Sequence, residues 1–107
     1  MKLSEKKCVP CEGGVPKMNP EEIKEYNTRL TTPWEVIDNM KIRRTFEFEN
    51  FVETMKFVNK VADLAEEEGH HPVMHVFYAK VEVEFWTHAI MGLSENDFIM
   101  AAKIEKL

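Results

Sequence analysis

Basic residues are in the minority in this chain. Its 107 residues carry 14 Lys and Arg against 19 Asp and Glu, a net charge of -5. An acidic balance excludes a surface built mainly for phosphate backbones, which needs clustered cations, so no nucleic-acid partner is expected. No apolar run approaches the length of a membrane span, and the first seven residues, Met1 to Lys7, lack the apolar stretch of a secretory signal. The expectation is a cytoplasmic protein without a membrane partner. Cysteine is scarce too: two residues, Cys8 and Cys11, make no disulfide framework. Serine nucleophile elbows, phosphate loops and dinucleotide fingerprints are all missing. Any chemistry therefore falls to imidazole, the side chain that titrates near neutrality unaided.

Composition suits a soluble globular protein, with 44% hydrophobic and 31% charged residues. The length fits one domain. Residues 1–18, with Cys8-Val9-Pro10-Cys11 and the Gly13-Gly14 pair, read as a flexible extension, and residues 19–107 as the domain. The Cys-x-x-Cys pair has three readings: structural, half of a zinc site shared between subunits, or redox. The redox reading needs a preceding strand, and nothing before Cys8 resembles one.

Periodicity predicts seven elements. Asn19-Pro20 with Glu22 opens a helix, with a stripe of Ile23, Tyr26 and Leu30 and a stop at Thr32-Pro33. Trp34 to Ile37 reads as a short strand and Asp38-Asn39 as a turn. Met40 to Glu49 then alternates with period two, with Arg44 breaking the apolar series as at an edge. Asn50 with Glu53 opens a second helix, from about Phe51 to Glu68. Its stripe is Phe51, Met55, Val58, Ala62 and Ala65, and Gly69 stops it. Val73 to Phe77 and Val81 to His88 read as strands about a turn at Tyr78-Ala79-Lys80. Ser94 opens a last helix with a row of Met100, Ile104 and Leu107. The order α-β-β-α-β-β-α predicts an α+β fold: a four-stranded antiparallel sheet with three helices on one face.

Three of the four histidines, His70, His71 and His88, lie near acidic residues in this order. A metal site on His71 and His75 is disfavoured, because Pro72 and the following strand set them roughly 13 Å apart. His70 stands at a helix end, where the dipole favours an imidazolium, and Glu66 one turn earlier is placed to orient it. Glu66 equally fits a solvated acidic face. His88, at the end of the last strand, reaches a cleft or serves as a structural histidine. Asp97 caps the last helix through Ser94 or polarises a nearby group.

The spaced set Glu66, His70, His71, Pro72, Tyr78, His88 and Asp97, with Trp86-Thr87-His88 and Gly92-Leu93, resembles the signature of pterin-4a-carbinolamine dehydratases. The resemblance runs from the first helix to Leu107. It implies loss of water from a 4a-hydroxytetrahydropterin, the product of aromatic amino acid hydroxylases, to give a quinonoid dihydropterin in tetrahydrobiopterin recycling. It implies no metal and no cofactor. By position, His70 and His88 would be the acid–base pair, His71 would hold the pterin, and Pro72 would fix the turn. Thr87 would line the pocket, and Glu66 and Asp97 would orient the histidines. Met74 stands where some members carry an aromatic residue, and Gly69 where some carry Asp or Asn. Family members also self-associate, so a homodimer or homotetramer is expected. The alternative function is a non-catalytic dimerisation or coactivator-type binding protein, or an accessory protein in another pterin pathway such as that of molybdopterin.

Overall fold

Asn19, Asn50 and Ser94 each stand where a helix begins. The computed structural model describes residues 2–9 and 16–107. Cys11 and Gly13-Gly14, and any pairing of Cys8 with Cys11, lie outside the described residues. Helix α1 spans Pro20–Thr28, α2 spans Phe51–Glu68 and α3 spans Glu95–Ile104. Asn19 Oδ1 accepts the Glu22 N–H at 2.9 Å, and Glu22 accepts the Asn19 N–H at 3.0 Å, closing the capping box. At α2 the forward bond forms, with Asn50 Oδ1 accepting the Glu53 N–H at 2.9 Å. Gly69, at φ 68°, ends α2 in the left-handed conformation that glycine adopts without penalty.

Helix α1 stops at Thr28, short of the predicted Thr32-Pro33. The Asn27 amide turns the chain back by bonding both the N–H and the carbonyl of Trp34, at 3.0 and 2.9 Å. Local side-chain bonds of this kind compete with continued helix.

The strands are β1 Glu35–Ile37, β2 Lys41–Glu47, β3 Val73–Val76 and β4 Lys80–Phe85. They form one antiparallel sheet in the order β1-β2-β4-β3. The fold is α+β, in the predicted element order. Asp38 and Asn39, at φ 53° and 52°, make the β1–β2 turn, where these short polar residues tolerate positive φ. Strand β1 pairs with β2 only as far as Arg43, so Arg44 does lie on an open edge.

One sheet face carries Ile42, Val81, Val83 and Phe85, all fully buried. Against it lie Val61 and Ala65 of α2 and Phe98 of α3, in one core. The buried row of α2 is Thr54, Val61 and Ala65. The predicted row began at Phe51, which is in fact 46% exposed. Thr54 fixes the helix's rotation: its hydroxyl lies 3.0 Å from the Tyr78 carbonyl in the β3–β4 turn. Helix α3 is buried nearly all round from Asn96 to Ala102, not along a single row, and Leu107 is exposed. The extra cover includes residues Leu3–Glu5, a 3-10 turn against α3 that buries Leu3.

The opposite sheet face holds a buried carboxylate. The register sets Glu84 beside Arg43, whose Nε donates to it at 2.8 Å, and Lys41 Nζ lies at 3.3 Å. Burial pushes the Glu84 carboxyl up, but the hydrogen bonds from Arg43 and Lys41 outweigh it and hold the group below its usual range. A carboxyl whose folded value lies below its unfolded one stabilises the fold above the unfolded value. It loses that contribution as the pH falls. Urea denaturation between about pH 6 and about pH 3 should therefore show stability falling with acid, and Glu84→Gln should flatten part of the slope. An identical slope in both proteins would show that the triad carries no linkage.

Candidate active site

The left-handed turn at Gly69 decides where the histidines go. Past it, the His70 N–H still bonds the Ala65 carbonyl at 3.2 Å, but the chain has left the helix. The His70 ring lies parallel to Phe85, with centroids 5.8 Å apart and 9° between planes. Its Nε2 sits 2.6 Å from Asp97 Oδ1. Asp97 is wholly buried. Its other oxygen, Oδ2, accepts the Thr87 hydroxyl and the Ser94 N–H, both at 2.9 Å. Asp97 thus caps α3 and holds His70 at once, uniting two roles that the sequence leaves as alternatives.

Thr87 has one hydroxyl hydrogen, given to Asp97, so Ser94 Oγ, 2.7 Å away, donates to Thr87 Oγ1. A carboxylate can only accept, which makes His70 Nε2 the protonated nitrogen and Nδ1 the one not bonded to Asp97.

Glu66 does not orient His70. Its carboxylate lies 2.5 Å from His71 Nε2, on the surface. The i, i+4 relation between Glu66 and His70 needs a continuing helix, and α2 ends at Glu68. An exposed pair of this kind adds little to stability.

His88 is not the end of a strand. Strand β4 stops at Phe85, and His88–Ile90 form a 3-10 turn. A bridge between Thr87 and Gly92 closes the loop at its base, with the Thr87 N–H donating to the Gly92 carbonyl at 2.8 Å. The exposed His88 ring packs on Trp86, with centroids 4.4 Å apart.

These elements surround a cavity of about 260 Å³. His70, His71, Thr87 and His88 line it; Asp97 stands behind His70, while Glu66 and Pro72 lie off the lining. His75 is elsewhere, on β3 opposite Glu82. Four further lining residues, Val9, Trp86, Ala89 and Asn96, carry no assigned role in the sequence reading. Trp86 belongs to the Trp86-Thr87-His88 run of the signature, which gives it a place but no role. Val9 and Asn96 lie 87 positions apart, and no local pattern joins them.

Cys8 lies close by, with its N–H bonded to Glu68 Oε1 at 2.9 Å. Burial, aided by the Glu68 charge, pushes its thiol up to about 12. Thiolate is the reactive form, so Cys8 should be inert. With Cys11 replaced by serine, iodoacetamide at pH 8 should modify Cys8 at least about tenfold more slowly than free cysteine. A rate equal to that of free cysteine would contradict this environment.

Comparison with known proteins identifies the family. Residues 16–107 match the family described as Pterin 4 alpha carbinolamine dehydratase. A relative from Rickettsia canadensis is 48% identical over 103 residues, covering 96% of this chain and 94% of its own. One from Nitrosomonas eutropha is 51% identical over 105 residues, covering 98% and 92%. Both carry the provisional name pterin-4-alpha-carbinolamine dehydratase. A solved transcriptional coactivator/pterin dehydratase from Brucella melitensis superposes with a TM-score of 0.78 at 31% identity, covering 84% of this chain and 96% of that one. A pterin dehydratase-like protein described as a RuBisCO assembly factor shares the fold alone, at 21% identity and a TM-score of 0.59. With nearly its whole length matched, this chain belongs to the pterin 4 alpha carbinolamine dehydratase family.

Proposed function

We propose that this protein dehydrates a 4a-hydroxytetrahydropterin to the quinonoid dihydropterin, with His70 and His88 as its acid–base pair, as part of tetrahydrobiopterin recycling in the cytoplasm. The observation that carries the reading is a histidine held at Nε2 by a fully buried carboxylate, sharing a cavity with two more histidines. In the reaction the C4a–O bond breaks and the hydroxyl leaves as water after receiving a proton. The N5 proton departs, and its bonding pair forms the C4a–N5 double bond. One imidazolium and one neutral imidazole serve both transfers. His70 works through Nδ1, because Asp97 occupies Nε2.

His71, steadied by Glu66, holds the pterin, and Pro72 fixes the turn that presents both neighbouring histidines. Thr87 lines the pocket and donates to Asp97. The chemistry calls for no metal or cofactor. Stopped-flow dehydration of a freshly made carbinolamine tests the reading: the protein should accelerate it, and a rate equal to that in buffer would refute it.

The protein also self-associates in this reading. Phe51 and Val52, 46% and 62% exposed, leave an apolar start to α2, with Phe51 stacked on the 70% exposed Tyr78. The unpaired outer edge of β2 beyond Arg43 offers a second contact. Light scattering at micromolar concentration should give a dimer or tetramer; a strict monomer would count against it.

A further inference from the structure

The three histidines of the cavity are held unequally. His70 has a carboxylate at Nε2, that of Asp97 at 2.6 Å, and His71 has that of Glu66 at 2.5 Å. His88 has neither: among the described residues its exposed ring forms no hydrogen bond, and its aromatic contact is with Trp86, at 4.4 Å between centroids and 31° between planes. The backbone beneath His88 is fixed. The Thr87–Gly92 bridge closes the loop, and the Met91 N–H returns to the His88 carbonyl at 3.2 Å. What the backbone leaves free are the two side-chain torsions that aim the ring, and the indole meets that ring. Strand alternation supplies the indole. Phe85 faces the core and stacks on His70. Trp86, the next residue, emerges half-buried beside Lys41, whose Nζ lies 5.6 Å from the indole centroid, within cation–π reach, and 3.3 Å from the buried Glu84. The indole is thus tied back to the sheet, while the imidazole it carries is open to the cavity.

We infer that Trp86 is the positioning residue of His88: its indole fixes the plane and direction of that ring, the task that Asp97 performs for His70. The inference rests on the dehydratase reading. A carboxylate orients an imidazole by occupying one of its nitrogens. An aromatic face orients it by packing and leaves both nitrogens open, so His88 can present either one to the substrate. A surface histidine with free torsions would be aimed at the cavity for only part of the time. Misplacement of a reacting group by about 1 Å costs on the order of 10²-fold in rate.

The test uses the full chain, a freshly made carbinolamine, and Trp86→Ala both alone and in the His88→Ala background. Trp86→Ala should lower kcat by about 10- to 10²-fold and change KM less. Trp86→Phe, which keeps an aromatic face, should recover most of the loss. In the His88→Ala background Trp86→Ala should cost nothing further, because the ring it positions is gone. An unchanged kcat in folded Trp86→Ala, a loss confined to KM, or the same loss with and without His88 overturns this inference and leaves the dehydratase reading standing. A wild type that does not accelerate dehydration overturns the two together. Proton NMR of the wild type keeps the test open if Trp86→Ala fails to fold. The His88 ring protons, assigned by their disappearance in His88→Ala, should be displaced upfield by the indole. Ring protons at the shifts of free histidine would overturn the inference whatever the enzyme assay shows.

Discussion

Replacing His70 or His88 with alanine should lower kcat by about 10²–10⁴-fold each, the usual contribution of a positioned acid or base. The two losses should differ in their side effects. His88 is exposed and rests on Trp86, so its removal should leave stability nearly unchanged. His70 is packed on Phe85 and bonded to Asp97, so its loss should also lower the melting temperature while the protein remains folded. His71→Ala should act on KM, because the role proposed for that ring is to hold substrate. His75→Ala should be nearly silent, since it lies on β3 outside the cavity lining. The His70/His88 double variant should lose less than the product of the single losses, because paired groups act as a unit. Steady-state kinetics across this set decides the matter. Damage from His75→Ala equal to that from His88→Ala, or an unaltered kcat in both outer variants, would remove the assignment.

Asp97→Asn should be nearly as damaging, by a different route. The carboxylate accepts from three donors: His70 Nε2–H, the Thr87 hydroxyl and the Ser94 N–H. An amide has one accepting oxygen. If that oxygen faces Thr87 and Ser94, the amide nitrogen faces His70 Nε2. The ring must then carry its proton on Nδ1, where it can no longer receive one from substrate. If the amide turns the other way, buried donors face a donor, at a cost of about 1–3 kcal/mol. The expected result is a kcat loss of about 10²–10⁴-fold with KM little changed. Asp97→Asn with wild-type kcat would show that the His70 tautomer does not matter.

Some of this site is legible in the sequence, and the reasons for the rest are physical. The ends of α2 are written locally, in Asn50 and Gly69, and the sheet in its period-two runs and short turns. The rotation of α2 is not, because it depends on Thr54 meeting a carbonyl 24 residues away. The partners of the histidines show the same divide. Helical spacing pairs Glu66 with His70, but the turn at Gly69 gives Glu66 to His71 and sends His70 to Asp97, 27 residues on. Asp97 looks like a cap and is one; its second bond appears only when the start of α3 meets the turn that follows α2. The tie between the Val9 backbone and the Asn96 side chain is the furthest from local reading, since an asparagine in the first turn of a helix gives no sign of a distant backbone partner.

The central claim is that the imidazoles gathered about this cavity eliminate water from the carbinolamine. Its most direct test is a stopped-flow comparison at neutral pH of wild type, the His70/His88 double alanine variant and buffer, on freshly made 4a-hydroxytetrahydropterin. The account predicts rapid dehydration by the wild type and a rate close to that in buffer for the folded double variant. Equal acceleration by both proteins, or by neither, would contradict it.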